Sequence, residues 1–352
     1  MLNILVVGAG AIGCFVGGRL AAAGQQVTLV GRPALMHKIA AEGLALRHPT
    51  QPALTVTPHT VTDMTQLSGH YDFILVAVKA PSTAEVIEQI ASAPLIQTDS
   101  YLVSLQNGIG NEELLADAFG PQRVIAGTVT IPIGVPEVGV IEVSKDKGGL
   151  GLAALAAGQP VNQLAAALNE AGLTTPVYDD WRAMKWSKLL LNIINNASSA
   201  ILDEKPADII ANTNLFNLEI AALQEGLAVM RALGVEAVKL PGYPVDWLAR
   251  LIRAYWLPPA LKRAALRPSM AGGRGSKMPS LHIDLEAGRS ETEIMVLNGA
   301  IVAAGQKLGL ATPANLALTE IYNGLAIGRL AWSDYRHQPD KLLEAAANAS
   351  RR

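Results

Sequence analysis

An α/β domain built on a largely parallel sheet, followed by an all-helical domain, is the fold class that three observations predict. Residues 2–7 form a short run, apolar but for Asn3 and rich in branched side chains, which fits a strand buried on both faces of a parallel sheet. That run leads into Gly8-Ala9-Gly10-Ala11-Ile12-Gly13, an Ala-rich helical stretch to residue 23 and a second strand at 26–30. This is the strand–turn–helix–strand context that gives a glycine-rich phosphate loop its meaning. Beyond residue 180, apolar residues recur with helical period and strand patterns disappear.

Bulk properties agree with two domains, because 352 residues are ample chain for a large core. Half the residues are apolar, 16% are charged and the formal charge is −2. That composition excludes a disordered chain and, with no basic tract, a nucleic-acid partner. The single cysteine, Cys14, excludes a disulfide framework and a Cys-cluster metal site, so no metal is expected and an inert, buried thiol is. Residues 4–18 carry no charge, but the stretch is too short and glycine-interrupted to span a membrane. No basic residue precedes it as in a signal peptide. The expected location is cytoplasmic, with no membrane partner.

In the glycine loop, Gly8 permits the tight turn, Gly10 lets backbone amides approach a pyrophosphate and Gly13 allows close helix packing, with the phosphates at the helix's positive end. Gly8, Gly10, Ala11, Ile12 and Gly13 are therefore the candidate cofactor contacts of a Rossmann-type dinucleotide-binding domain. After the second strand, an acidic residue would bond the ribose of NAD; this chain has Gly31-Arg32. The Arg32 guanidinium suits the extra phosphate of NADP, so NADPH is the expected cofactor. A strand over 71–78 delivers Lys79 at its carboxyl end, and one over 101–105 delivers Gln106-Asn107-Gly108. Lys79 and Asn107 thus arrive at the edge where the nicotinamide end should lie. Shorter, more alternating segments at 124–133, 139–143 and 149–152 suggest late strands, one of them antiparallel. A helix over 160–171 and a strand at 175–178 close the first domain, assigned to residues 1–178.

The second domain, 179–352, reads as helices over 181–202, 213–233, 245–257, 291–308 and 313–325. In the first of these, Lys188, Asn192 and Asn196 fall at i, i+4 and i+8, a single stripe rising about 6 Å per step. Apolar neighbours cover most of the remaining circumference, so the amides and ammonium need partners, either water or a ligand. The stripe begins just after the domain boundary, which favours a ligand in a cleft between the domains. The Ala-rich second domain could also bury a homodimer interface.

The ordered combination Gly8-x-Gly10-x-x-Gly13, Val78-Lys79-Ala80, Gln106-Asn107-Gly108, Trp186-x-Lys188-Leu189 with Asn192 and Asn196, Pro279-Ser280, Glu293 with Asn298-Gly299, and Gly309-x-x-Thr312-Pro313-x-Asn315 resembles the ketopantoate reductases. The resemblance runs from residue 1 to about residue 325 and is far more specific as a set than in any member. It implies NADPH-dependent reduction of 2-dehydropantoate to pantoate, a step towards pantothenate. It also implies Lys188 as general acid and Glu293 as its carboxylate partner and substrate ligand. Asn107, Asn192, Asn196 and Ser280 become substrate hydrogen-bonders, and Lys79 lies near the nicotinamide end.

These roles make chemical sense: hydride arriving at a ketone carbon leaves an alkoxide that needs a proton, and a lysine is charged and ready to give one. Amides and a hydroxyl can hold a carboxylate without adding charge. The chain also departs from the family pattern. The span from Arg289 to Glu293 is one residue longer, which makes Glu291 a rival carboxylate. Ala197 follows Asn196 where many members have proline, and Ile283-Asp284 stands in place of Gln-Asp. Residues 240–278, with Arg250, Arg253, Lys262, Arg263, Arg267, Arg274 and Lys277 among Trp247, Tyr255 and Trp256, are longer, as is the tail from 332. That segment reads as an amphipathic helix pair with a solvated basic face, or as a substrate-selecting lid with a glycine-rich loop at 271–276. The competing functions are a paralogous NADP-dependent reductase of another 2-oxo acid, and a protein that senses NADPH without turnover.

Overall fold

The apolar run at the amino terminus becomes β1 (Asn3–Val7), at the heart of the larger sheet in a computed structural model that describes residues 1–67, 69–93, 99–254, 256–272 and 278–351. The strands that follow are β2 (Gln26–Val30), β3 (Leu44–Arg47), β4 (Leu54–Val56), β5 (His59–Val61), β6 (Phe73–Val76), β7 (Tyr101–Ser104), β8 (Val124–Val129), β9 (Ile133–Glu137), β10 (Val140–Val143), β11 (Leu150–Ala154) and β12 (Val177–Tyr178). The larger sheet has the order β12-β11-β8-β7-β6-β1-β2-β5. From β8 to β5 all neighbours are parallel, and β11 is antiparallel to β8. The strand order reverses direction around β1, whose neighbours are β2 and β6, so the carboxyl ends of β1 and β6 flank the switch point where such sheets bind ligands.

Successive residues of these strands enter two different cores. Ile4, Val6, Leu29, Phe73 and Leu75 belong to one, and Leu5, Val7, Val30, Ile74 and Val76 to the other. Alternating side chains point to opposite faces. Because both faces are buried, these strands are mostly apolar rather than alternating.

A second sheet, β4-β3-β10-β9, is absent from the sequence expectations in part. Its strands are short and β9 is largely exposed, so no apolar run marks it. The single strand expected over 124–133 is divided: β8 ends at Val129, and after Pro132 the chain enters β9 in the other sheet.

By contact, the chain forms two compact units. The first comprises Met1–Gln106, Gly110–Lys185 and Leu240–Tyr243; the second comprises Asn107–Ile109, Trp186–Lys239 and Pro244–Arg352. A single cut after residue 178 therefore does not describe them, since the first unit continues through the start of the Trp181–Ile193 helix.

The second unit is helical, and two expected helices need correction. The expected 181–202 helix is broken: Trp181–Ile193 ends, Asn195 takes a left-handed φ of 51°, and a new helix runs Ala197–Leu202. The expected 291–308 helix begins as a 3-10 turn, Glu293–Val296, before Asn298–Leu308. The segment after residue 240 does form two helices, Val245–Arg253 and Pro259–Gly272. Not all of its basic residues are solvated. Lys262 is buried and donates to the Ile252 carbonyl at 3.0 Å, satisfying an orphan group at a helix end. Tyr255, Arg274, Lys277 and most of the glycine-rich loop lie outside the described residues. Among the described residues, no helix is long and apolar enough to cross a membrane.

Candidate active site

The candidate cofactor residues lie in the first unit, except Asn107, which belongs to the second. Gly8 has a φ of +99°, and a Cβ there would stand 2.7 Å from the Val78 nitrogen, so only glycine lets β1 turn against the residue before Lys79. A Cβ on Gly13 would sit 2.2 Å from the Gly8 carbonyl oxygen, which shows how closely the Ala11–Ala22 helix returns over the loop. Gly10 differs, because a Cβ there would meet no protein atom within 4 Å. No side chain caps this helix, so the first-turn amides of Ala11, Ile12 and Gly13 face that open space as donors. An uncapped helix start beside a glycine with room above it fits a pyrophosphate.

Arg32 follows β2, is exposed, and begins the Pro33–Glu42 helix. Neither an ion pair nor a hydrogen bond engages its guanidinium among the described residues, which suits it to an anion. Lys79 is exposed at the carboxyl end of β6. Cys14 is buried, and burial pushes its thiol up to about 12, so it is inert.

The remaining candidates lie in the second unit. Lys188 and Asn192 are half-buried and one turn apart on the Trp181–Ile193 helix. Asn192 Nδ2 donates to Asn107 Oδ1 at 3.2 Å. Asn107 belongs to a segment laid against the Glu293–Val296 turn: Ile109 N donates to the Val296 carbonyl at 3.0 Å, and a Cβ on Gly108 would lie 2.6 Å from Val296 Cγ2. Glu293, at the start of that turn, is 6% exposed, whereas Glu291 is exposed. Asn196 Oδ1 accepts from Leu281 N at 3.3 Å, next to exposed Ser280 at the start of the Ser280–Glu286 helix. The structure thus joins Asn192, Asn107 and the Glu293 turn in one group, and Asn196 and Ser280 in a second.

Three supporting residues escaped the sequence reading. Glu219, buried on the Thr213–Ala232 helix, accepts from Asn195 N at 2.7 Å and from Ser198 Oγ at 2.5 Å. Its carboxylate holds the helix break and starts the next helix, so it aims Asn196. The available signal was an acid within an apolar stripe, four residues from both Leu215 and Leu223. Tyr322 is buried and donates to the Leu281 carbonyl at 2.8 Å. Burial, with Asp284 and Glu293 nearby, pushes its phenol up, so it stays a neutral strut between the Ser280 and Glu293 segments. Glu225 caps the Pro313–Ala326 helix, accepting from Ala314 N at 2.8 Å and Asn315 N at 2.9 Å. Asn315 also accepts from Asn298 at 2.9 Å, so these motif residues tie helices together. Burial nonetheless pushes the Glu225 carboxyl up.

A doubly wound sheet with an uncapped glycine loop, together with a lysine and amides gathered on helices, defines the class: an NAD(P)H-dependent oxidoreductase. The chain belongs to the ketopantoate reductase family, whose PanE/ApbA profile matches residues 4–156 and whose C-terminal profile matches residues 180–326. A 2-dehydropantoate 2-reductase of Pyrococcus horikoshii is 29% identical over 319 residues, covering 90% of this chain and 95% of that one. The crystal structure of a PanE/ApbA family ketopantoate reductase from Ralstonia eutropha shares 28% identity, with a TM-score of 0.77 over 93% of this chain and 99% of that one. D-mandelate dehydrogenase, solved with NADH and anilino(oxo)acetate, also has a TM-score of 0.77, over 93% and 99% of the two chains. At 23% identity that is a likeness of fold alone.

Proposed function

We propose that this protein reduces 2-dehydropantoate to pantoate with NADPH, a step towards pantothenate and coenzyme A. The observation that carries the reading is the Asn192–Asn107 bond at 3.2 Å, one turn from Lys188, which gathers amides beside an ammonium as a 2-oxo acid requires. When bound, NADPH supplies hydride to the ketone carbon. Gly8, Gly10, Ala11, Ile12, Gly13, Arg32 and Lys79 hold it, with Arg32 on the 2'-phosphate. Lys188 gives the developing alkoxide its proton. Glu293 is the carboxylate that keeps this ammonium in place, a role its burial supports over that of Glu291. Asn107, Asn192, Asn196 and Ser280 hydrogen-bond the substrate's carboxylate and hydroxyl.

The test is NADPH oxidation followed with 2-dehydropantoate and a panel of alkyl and aryl 2-oxo acids, with NADH in parallel. The reading expects the highest kcat/KM for 2-dehydropantoate with NADPH. A second reading, reduction of another 2-oxo acid, is favoured by exposed Ile283 on the face of the helix that begins at Ser280. A higher kcat/KM for an apolar 2-oxo acid would transfer the assignment to it.

A further inference from the structure

We infer that Lys185 and Glu112, a buried ion pair outside the proposed substrate set, are positioning residues that hold the Gln106–Asn107 segment for catalysis. The inference rests on the proposed role of Asn107. Lys185 Nζ donates to the Gln106 carbonyl at 2.6 Å and to the Gly127 carbonyl at 3.3 Å. It also lies 2.7 Å from Glu112 Oε1, and the two side chains are 1% and 0% exposed.

A buried pair of this kind is a poor way to stabilise a fold. Desolvation rivals the attraction, and apolar side chains of similar volume often serve as well. What an apolar pair cannot do is grip a main-chain carbonyl. The ammonium has three protons to direct, and the shortest of its contacts goes to the carbonyl immediately before Asn107. The peptide group is planar, so fixing the Gln106 oxygen also fixes the direction of the Asn107 N–H.

The Gln106 side chain is anchored independently. Its Nε2 donates to Thr83 Oγ1 at 2.7 Å, and that hydroxyl donates to Asn111 Oδ1 at 3.0 Å. Asn111 and Glu112 open the Asn111–Phe119 helix, so the amide and the carbonyl of Gln106 are both held from one helix start. Asn107 then presents Oδ1 to Asn192, seven residues beyond Lys185 on the same helix. A charge pair that merely filled space would not be aimed at this peptide.

The experiment uses the full chain with Lys185→Met and Glu112→Leu together, so that no lone charge stays buried. Two readouts are taken: amide hydrogen exchange at Asn107–Ile109, and steady-state kinetics with the 2-oxo acid alongside NADPH binding. Loss of a hydrogen bond of this kind predicts about tenfold faster exchange at those amides, with β1 and β6 unchanged. It also predicts a KM for the 2-oxo acid raised about tenfold and an NADPH Kd within about twofold. Unchanged exchange at Asn107–Ile109, or faster exchange throughout the first unit with a lowered Tm, overturns the inference. If the wild type reduces no 2-oxo acid, the proposed function fails, while the exchange result still decides this inference. Should the double variant not fold, Glu112→Gln keeps the volume and should move both readouts the same way by a smaller factor; no movement there overturns the inference as well.

Discussion

The glycine loop of the first unit and the polar helix of the second present their chemistry in opposite ways. In the loop, the requirement is steric and local: Gly13 must be glycine because the Gly8 carbonyl, five residues earlier, would lie 2.2 Å from its Cβ. In the helix, Lys188, Asn192 and Asn196 share a stripe on paper, but the helix stops at Ile193 and Asn196 is turned by a break. That break is held by Glu219, 24 residues away from Asn195 along the chain. Backbone crowding within a few residues can be read from residue type alone, whereas the direction of a side chain beyond a helix break depends on an acceptor supplied by another element.

The comparison can be broken most decisively at Lys188. As general acid it should contribute about a hundred- to ten-thousandfold, so Lys188→Ala should lose mostly kcat while NADPH still binds. Its alkaline limb in the pH–rate profile should flatten, because the ammonium is the active form. An unchanged kcat and limb would leave the stripe a structural feature.

The loop is sharpened by a pair of variants. Gly13→Ala forces a Cβ into the Gly8 carbonyl and should cost about 3 kcal/mol or more in stability. Gly10→Ala meets no protein atom within 4 Å and should leave Tm unchanged, yet weaken NADPH if that space receives the pyrophosphate. Calorimetry with a titration separates the two, and equal Tm losses would contradict the assignment.

Glu219→Gln tests the break itself. It replaces charge-assisted bonds worth about 1.5–3 kcal/mol with a group that can accept at only one atom. Tm should fall and the KM for the 2-oxo acid should rise, since Asn196 is the next residue after Asn195; a lowered Tm with unchanged KM would mean the break does not aim Asn196. Arg32→Ala should weaken NADPH about ten- to a hundredfold and leave NADH nearly unchanged. Equal losses for the two cofactors would remove Arg32 from the site.

The smallest effect is expected at Asp203. Burial alone would raise its carboxyl, but bonds from His282 and Arg336 outweigh that and hold it below its ordinary 3.8. A depressed carboxyl contributes stability above its unfolded value and loses it as pH falls through the folded one. Asp203→Asn should therefore lower the unfolding free energy at pH 7 by an amount typical of exposed pairs, about 1 kcal/mol or less, and Tm with it. Below about pH 3.8 the gap should close; a gap independent of pH would assign the effect to packing.

Much of the architecture was legible because burial imposes patterns on neighbouring residues. The central strands β1, β6 and β7 stood out as mostly apolar segments since both sheet faces are covered. Long helices such as Thr213–Ala232 and Pro313–Ala326 showed their period. The β3–β4–β9–β10 sheet was largely invisible, because short, half-exposed strands need not be apolar. The helix break was hidden for a different reason: Asn195 and Asn196 are acceptable inside a helix, and the Glu219 carboxylate that accepts from Asn195 N at the left-handed turn comes from a different helix.

By itself, the sequence determined the dinucleotide fold, the positions where only glycine fits, the helical second half and the residue types on offer for proton transfer, since each follows from steric or hydrophobic demands acting over a few residues. Tertiary structure alone decided that Glu293 is buried while Glu291 is not, that Asn107 meets Asn192, and that Lys185 grips the Gln106 carbonyl. Those outcomes depend on partners brought from distant points of the chain. A polar side chain's role is set by which partner the fold places within about 3 Å of it, and no local pattern encodes that distance.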